Sequence, residues 1–405
     1  MSKIKNIKAH EIKDSRGNPT IEVKLETEKN SFFASVPSGS STGKNEALEL
    51  RDKNGKGVSS AIKNINKIIA PKLKDKDAVN QKEIDDLMIS LDGTENKSKL
   101  GANAILAVSI VVCRAGADAK KIPLYQHVSE LSGIRDPLSI PLPAFNILEG
   151  GAHAKNDLDI QEFMIVPQKK TFAENLITGS KVYQNLKEIL VKNYGESAIT
   201  MGDEGGFAPP IFSTQQALFL LKTASENEEV KIALDCAASQ FYKEGKYYLD
   251  QKEFTRTGLL DFYKELINSF PFVSIEDPFD EEDWEGFKEF TKEISSEISI
   301  IGDDLTTTNI EKIKEAHNKS ACNGVILKPN QIGTITETIS AGKLAKSFQW
   351  KTIVSHRSGE TMDDFIADLA VGVGADFIKS GSPTKEERMV KYSRLLEIEK
   401  ELNKK

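Results

Sequence analysis

The clearest signal of the fold lies in residues 272–328, which read FVSIEDPFDEEDWEGFKEFTKEISSEISIIGDDLTTTNIEKIKEAHNKSACNGVILK. Short apolar runs rich in Ile and Val alternate there with amphipathic segments of helical length. The same alternation continues on both sides of this stretch, and the best-marked runs end in ionisable side chains: Asp235, Glu276, Asp303, Lys328, His356 and Lys379. Continuous apolar runs are typical of strands buried on both faces, and repeated strand–helix units predict a parallel sheet.

This α/β pattern fits both an open doubly wound sheet and a closed (β/α)8 barrel. Further apolar runs lie upstream at 144–148, 163–166 and 199–201. We favour the barrel, because all these runs share one segment whose length is close to the roughly 250 residues typical of such barrels. In barrels the chemistry collects at the C-terminal ends of the strands, where the ionisable residues of this chain lie.

The first part of the chain has a different pattern. Residues 20–26 (TIEVKLE) alternate apolar and polar side chains, as in a half-buried strand, and a second strand is predicted at 32–36. Three helical patterns follow, at 58–70, 79–90 and 100–117. Strands followed by helices predict an α+β unit, and the Pro-rich stretch 136–143 marks its end. We therefore predict two domains, residues 1–134 and residues 135–405.

The composition excludes several classes of protein. With 54 Lys and Arg against 61 Asp and Glu in 405 residues, the net charge is −7, and no basic block indicates nucleic acid as a main partner. The longest apolar stretch, 100–113, is too short to span a bilayer and predicts a buried core helix. The N-terminus has no apolar signal segment, and Cys113, Cys236 and Cys322 are far apart, as in a reducing compartment. We expect a cytoplasmic protein, and no sequence feature indicates surface display or secretion.

Ionisable residues at successive strand ends predict a composite site. Any one of them has a structural alternative, since an Asp after a strand, such as Asp304, is often the N-cap of the next helix. Capping does not explain Lys328, His356 or Lys379 at such positions. The composite site is therefore the better interpretation.

Two kinds of chemistry meet in the predicted site. Asp235, Glu276 and Asp303 offer only carboxylate oxygens, which are the ligands of a hard cation such as Mg²⁺ rather than of zinc. The positive side chains stand opposite, in the order Lys328, His356, Arg357 and Lys379. Such a pocket suits a small substrate that carries phosphate and carboxylate groups. A metal and basic groups acting on one substrate stabilise the charge that develops during a reaction.

A set of specific motifs runs nearly from one end of the chain to the other. In order they are DSRGNPT, VPSGSSTG, EALELRD, LDGTENKSKLGANAILAVS, GGAHA, QEFM, GDEGGFAP, ALDCAAS, SIEDPF, GDDLT, LKPNQIGT, SHRSGET and KSGSP. As a set they resemble the enolase family. The resemblance implies an N-terminal α+β capping domain, which acts as a lid, on a TIM-like barrel of the enolase type that begins ββαα.

The resemblance also implies an activity. Its members are lyases, phosphopyruvate hydratases that reversibly dehydrate 2-phospho-D-glycerate to phosphoenolpyruvate in glycolysis and gluconeogenesis. Two Mg²⁺ per site are implied. Asp235, Glu276 and Asp303 would hold the structural ion, and Ser41 would close over a second ion recruited with the substrate. A homodimer or larger homo-oligomer is the family expectation.

The catalytic roles implied by the resemblance fall on two residues. Lys328 would be the base that takes the C2 proton, and Glu204 the acid that helps the C3 hydroxyl leave, with Glu162 working beside Glu204. A Lys base must be neutral, so we expect nearby cations to lower its pKa. For Glu204 we expect the carboxylates of Glu162 and Asp203 to raise the pKa by like-charge coupling. A Lys base with one or two Mg²⁺ is the general pattern of this superfamily.

The remaining site residues would bind the substrate. By the same resemblance, Lys379 would bind its carboxylate, Arg357 and Ser358 its phosphate, and His153 and His356 would line the pocket.

Two alternatives remain open at this point. One is a non-catalytic binding or structural protein on the same scaffold, since folds are reused for unrelated functions. The other is a superfamily enzyme that acts on a different carboxylate, although the phosphate set of Ser41, Arg357 and Ser358 disfavours it. Ser380 and Lys385 depart from the Thr and Arg usual in the family, and Lys385 is expected to weaken a bidentate contact between elements or subunits.

Overall fold

The computed structural model describes residues 2–40, 43–53, 55–134 and 138–404. These residues form an N-terminal α+β domain and a closed barrel of eight strands. The predicted fold class is therefore confirmed. The predicted boundary between residues 134 and 135 lies next to residues 135–137, which are outside the described part of the chain.

The N-terminal domain is a three-stranded antiparallel sheet covered by helices. Its strands are β1 (Asn6–Lys13), β2 (Pro19–Glu26) and β3 (Ser31–Ser35), with β2 in the middle. Its helices are α1 (Ser59–Asn64), which continues through a π-helical turn (Ile65–Ile69) into α2 (Ala70–Leu73), then α3 (Gln81–Asp92), α4 (Ala102–Lys120) and α5 (Leu124–Ser132). The predicted strands and helices of this region are confirmed, and β1 is an addition to them.

Helix α4 forms the centre of the N-terminal domain. It packs against β2 and β3 and against α3 and α5. By length and composition alone this helix could cross a membrane, but 83% of its most apolar stretch is buried inside the protein. The prediction of a buried core helix is thus confirmed.

The barrel begins with two antiparallel strands, β4 (Leu142–Glu149) and β5 (Glu162–Pro167). Two helices follow, α6 (Phe172–Tyr194) and α7 (Thr214–Ala224), before β6 (Val230–Asp235), which is antiparallel to β5. This is the expected ββαα start. The apolar run 199–201 is not a barrel strand, so that prediction is wrong. Met201 makes only an isolated bridge to Phe207 and is 46% exposed, whereas a barrel strand is buried on both faces.

After β6, helices and single strands alternate through the rest of the barrel. A separate small sheet of β7 (Tyr242–Lys243), β8 (Lys246–Leu249) and β9 (Lys252–Phe254) lies between β6 and this alternating part of the chain. The elements that follow are α8 (Arg256–Ser269), β10 (Phe272–Glu276), α9 (Trp284–Ile294), β11 (Ser299–Gly302), α10 (Ile310–Lys319), β12 (Gly324–Leu327), α11 (Pro329–Ile332), α12 (Ile335–Ser347), β13 (Lys351–Ser355), α13 (Phe365–Gly372), β14 (Phe377–Lys379) and α14 (Glu386–Leu402). Every strand predicted in this region is present and ends at or just before its ionisable residue.

The strands close into a ring. Its order is β4, β5, β6, β10, β11, β12, β13 and β14, and β14 pairs with β4. Apolar side chains fill the interior: Ala144, Met164, Val166, Ala233, Ile301, Ile326, Ile353 and Phe377. Because the interior is packed, polar groups of the strands collect at the end of the barrel.

A charged cluster joins the two domains. Arg114 of α4 donates to Asp363 at 2.7 and 2.9 Å and to Asp364 at 2.7 Å, just before α13. Burial alone would raise the pKa of the Asp363 carboxyl, but the charge of Arg114 outweighs it and lowers this pKa. The paired charges therefore hold the N-terminal domain on the barrel.

Replacing Arg114 by Met is expected to lower the free energy of unfolding by about 3 kcal/mol at neutral pH, because the buried Asp363 carboxylate loses its cation. Arg114 lowers the folded-state pKa of Asp363, so its stabilising effect is present above the ordinary Asp pKa of about 3.9 and is lost as the pH falls through the folded value. Urea unfolding of both proteins from neutral to acid pH measures this, and the difference between them should shrink at acid pH.

Lys82→Ala is the matched control, because it removes the exposed ion pair of Lys82 with Asp86. It is expected to change stability by less than about 1 kcal/mol. An Arg114→Met loss no larger than that of the control, or one independent of pH, would contradict the role of the cluster.

Candidate functional site

Three buried carboxylates meet at the carboxyl ends of neighbouring strands. Asp235 ends β6, Glu276 ends the adjacent β10 in register with it, and Asp303 follows β11. Their ligand oxygens all lie within 4.8 Å of one another. The structure thus brings together three of the predicted metal ligands, while the fourth, Ser41, lies outside the described residues. An all-oxygen donor set fits Mg²⁺.

The ammonium group of Lys379, at the end of β14, lies among these acids. Its Nζ is 2.8 Å from Asp235 Oδ2, 3.0 Å from Glu276 Oε2 and 3.1 Å from Glu162 Oε2. Burial by itself would lower the pKa of Lys379, but the carboxylates raise it well above its ordinary value. The acids therefore already surround one cation, which shows that their oxygens converge as a metal site requires.

Lys328 follows β12 and pairs with Asp303. Burial lowers the pKa of Lys328, and Arg357 and Lys379 lower it further, but Asp303 outweighs them and the pKa is raised. The nearby cations thus lower the pKa of Lys328 as expected, but the expected net lowering is wrong for this arrangement, because the nearest charge to the Lys328 ammonium is negative.

Two polar residues to which the sequence analysis gave no role in the site hold Asp303 in place. Gln331 Nε2 donates to Asp303 Oδ1 at 2.8 Å. Asp277 accepts the N–H groups of Asp303 at 2.9 Å and of Asp304 at 2.7 Å. Asp304 is not the N-cap suggested by the sequence, since Asn309 caps the next helix. The signal that could have found Asp277 is its position directly after a strand-end ligand.

Glu162 and Glu204 form a second acidic pair beside two histidines. His153 Nδ1 lies 3.5 Å from Glu162 Oε1 and 3.6 Å from Glu204 Oε1, and His356 Nε2 lies 3.1 Å from Glu204 Oε2. Asn146 Nδ2, which the sequence analysis missed, donates to Glu204 at 3.1 Å. All five side chains are buried. The structure therefore brings the four predicted residues of this group together.

The surroundings shift the pKa values of Glu162 and Glu204 in opposite directions. Burial and the charge of Glu204 raise the pKa of Glu162 well above its ordinary value. Burial acts on Glu204 as well, but His356 and His153 outweigh it and hold the pKa of Glu204 well below its ordinary value. Arg388 Nη1 lies 2.6 Å from His356 Nδ1, which places the ring proton on Nε2, beside Glu204. The prediction that the pKa of Glu204 is raised is therefore wrong.

The predicted phosphate ligands follow β13 and contact the loop that carries Ser41. Arg357 donates to the two carboxylate oxygens of Glu46 at 3.0 and 3.2 Å. Ser358 Oγ accepts the N–H of Ser40 at 2.7 Å. The sequence analysis did not single out Glu46, which lies in the EALELRD motif.

One cavity joins the predicted base, the acidic pair and the predicted phosphate ligands. Every predicted catalytic and substrate-binding residue in the described part of the chain lines it: His153, Glu162, Glu204, Lys328, His356, Arg357, Ser358 and Lys379. Gly39, Ser40, Gln161 and Ser355 complete the lining. The arrangement can hold a small anionic molecule between a base and an acid.

Lys385, where the sequence departs from the usual pattern, contacts the loop of Glu204. Its Nζ donates to the carbonyls of Gly202 at 2.9 Å and Asp203 at 3.0 Å. Position 385 therefore bridges two elements of one chain through two hydrogen bonds. Ser380, the other departure, is fully buried next to Lys379.

Two family models match the chain. One, described as the enolase N-terminal domain, matches residues 4–128, and the other, described as the enolase C-terminal TIM barrel domain, matches residues 137–405. Members are Mg²⁺-dependent lyases of small molecules, which agrees with the buried all-carboxylate group. Since the matches extend over both domains of the structure, the chain belongs to the enolase family.

Proposed function

We propose that this chain catalyses the reversible dehydration of 2-phospho-D-glycerate to phosphoenolpyruvate. The supporting observation is the placement of a base and an acid pair across one cavity. Lys328 follows β12 and Glu162 begins β5, and these strands are four places apart in the ring of eight. They therefore lie on opposite sides of the barrel. A proton can leave one face of a bound substrate there while a hydroxyl leaves the other.

The metal would lie among the strand-end acids. Asp235, Glu276 and Asp303 would hold one Mg²⁺, and Ser41 would contribute to a second that arrives with the substrate. Bound Mg²⁺ supplies positive charge that stabilises the substrate carboxylate as negative charge develops beside it. Lys379 lies at the same place and would bind that carboxylate.

Lys328 would take the C2 proton. This proton is a very weak acid, because its loss adds negative charge next to an ionised carboxylate. Burial, Arg357 and Lys379 all lower the pKa of Lys328, whereas Asp303 and, to a smaller extent, Glu276 raise it. Loosening the contact with Asp303 would therefore lower the pKa of Lys328 and favour its neutral, basic form.

The C3 hydroxyl must leave with a proton to form water. Glu162 and Glu204 hold that proton as a coupled pair, so their titration belongs to the pair rather than to either residue. His153 Nδ1 lies between them, within 3.6 Å of both. We assign the acid role to Glu204, with Glu162 as the partner that stores the proton.

The remaining roles follow from charge. Arg357 and Ser358 would bind the phosphate, and His153 and His356 would line the substrate. Action in glycolysis and gluconeogenesis, a cytoplasmic location and a homodimer or larger homo-oligomer complete the proposal and stay predictions.

Lys328→Ala is expected to lower both turnover and C2 proton exchange of 2-phosphoglycerate by about 10²- to 10⁴-fold, because no other base lies at that strand end. Exchange is followed by NMR in D₂O and turnover by phosphoenolpyruvate absorbance. Lys264→Ala, which removes an exposed lysine paired with Glu293, is the control and should leave both rates unchanged. Exchange retained in Lys328→Ala would rule out its role as the base.

Glu276→Gln is expected to abolish the stabilisation of the protein by Mg²⁺, because one of the three carboxylates loses its charge. Binding at a hundredfold excess over Kd stabilises a protein by about 2.7 kcal/mol, which a thermal melt with and without Mg²⁺ detects. The readout does not depend on activity. Glu293→Gln is the exposed control, and it should keep the full shift. An unchanged Mg²⁺ shift in Glu276→Gln would place the metal elsewhere.

A further inference from the structure

Glu204 lies on a five-residue loop, residues 202–206 (GDEGG), whose backbone carbonyls are all bound. Lys385 Nζ donates to the carbonyl of Gly202 at 2.9 Å and to that of Asp203 at 3.0 Å. The Ser382 N–H donates to the Glu204 carbonyl at 3.1 Å, and the Tyr183 hydroxyl donates to the Gly205 carbonyl at 2.8 Å. The Gly206 carbonyl accepts the N–H of Gly202, within the loop, at 2.9 Å. The loop carbonyls are thus held by three residues outside the loop, Lys385, Ser382 and Tyr183.

One buried side chain binds the N–H groups on both sides of the loop centre. Glu149, the last residue of β4, accepts the Glu204 N–H at 3.2 Å with Oε2 and the Gly206 N–H at 2.5 Å with Oε1. Its side chain is fully buried, and among the described residues it is not part of the cavity lining. No step of the proposed reaction otherwise uses this carboxyl group.

The loop backbone packs directly against the Glu149 carboxyl group and leaves no room for a side chain between them. A Cβ atom at Gly202 would overlap Glu149 Oε2, and one at Gly206 would lie 2.9 Å from Oε1. Burial raises the pKa of Glu149 to about 8, and the charge of Glu204 adds to this, while the two backbone N–H groups act in the opposite direction. The loop therefore wraps tightly around the carboxyl group, and its two N–H groups, together with the charge of Arg388, favour the ionised form of Glu149.

We propose that Glu149 is the positioning residue of Glu204. By accepting the two loop N–H groups, it fixes the Glu204 carboxyl group against the substrate. Its assignment to a reaction step rests on the proposed function. Glu149 acts through Glu204, and its strand β4 lies three places along the ring from β12, which Lys328 follows. Loss of Glu149 should therefore slow departure of the hydroxyl and spare removal of the C2 proton.

The test compares two rates on the same full-length protein with Mg²⁺. In Glu149→Gln one acceptor oxygen becomes an NH₂ donor that faces a backbone N–H, so one of the two bonds is lost. Displacing the acid by about 1 Å is expected to lower turnover of 2-phosphoglycerate on the order of 10²-fold. C2 proton exchange in D₂O should stay close to the wild-type rate. A fall in the amount of folded enzyme would lower both rates by one factor.

Asp250→Asn is the matched control. Asp250 is also buried, and its carboxylate accepts the backbone N–H of Thr214 at 2.9 and 3.0 Å, away from the cavity. Asp250→Asn should show the wild-type rates of both turnover and C2 proton exchange. Glu149→Asp, which keeps two acceptor oxygens on a shorter stem, serves as a second variant that should fold and show the same selective loss of turnover.

The ratio of the C2 proton-exchange rate to the turnover rate tests whether Glu149 positions Glu204. A ratio that rises in both Glu149 variants and not in Asp250→Asn supports the proposal, whereas an unchanged ratio overturns it. Amide hydrogen exchange of the peptide that spans residues 202–206 gives a readout without substrate, and it should be faster in Glu149→Gln. Wild-type protein that shows neither rate would refute the proposed function, and the amide readout would still decide whether Glu149 holds the loop.

Discussion

The buried ion cluster of Lys379 is the interaction on which the functional end of the barrel depends. Lys379 ends β14 and pairs with carboxylates on β5, β6 and β10, so one ammonium group links strands around half of the ring. Removing one partner of a buried ion pair costs about 3–5 kcal/mol, because the other charge stays buried without compensation. The ammonium group that the barrel supplies among Glu162, Asp235 and Glu276 therefore offsets the repulsion between these carboxylates.

Much of this arrangement could be predicted from the sequence, because burial of a parallel strand on both faces leaves a continuous apolar run. Where such a run stops at Glu276 or Lys328, the strand and its functional end are identified together. The same rule fails for 199–201, where an apolar run is followed by a turn and Met201 is exposed. It also fails for β1, since only Ile7 and Ala9 are buried in a strand whose other face is polar.

The protonation of the acid pair could not be predicted, because it depends on packing rather than on order in the chain. Asp203 is next to Glu204 in the sequence, yet its carboxylate is partly exposed and lies 3.8 Å from Arg16 Nη1. His356 is distant in the sequence, but β13 places its ring 3.1 Å from Glu204. Contacts across the barrel thus set the directions in which the two pKa values shift. The backbone contacts of Glu149 escape a motif-based reading for the same reason.

The described residues on either side of positions 41 and 42 are attached to the segment of the predicted phosphate ligands. Before Ser41 the loop is fixed where Ser38 and Gly359 exchange two backbone hydrogen bonds, each 2.9 Å long. After Ser41 it is fixed where Glu46 pairs with Arg357. Both ends of the loop are therefore attached to residues 357–359, the segment that carries the predicted phosphate ligands. An anion that bound Arg357 would compete with Glu46 for the same guanidinium group, so binding at this segment would change how residues 43–46 are attached to it.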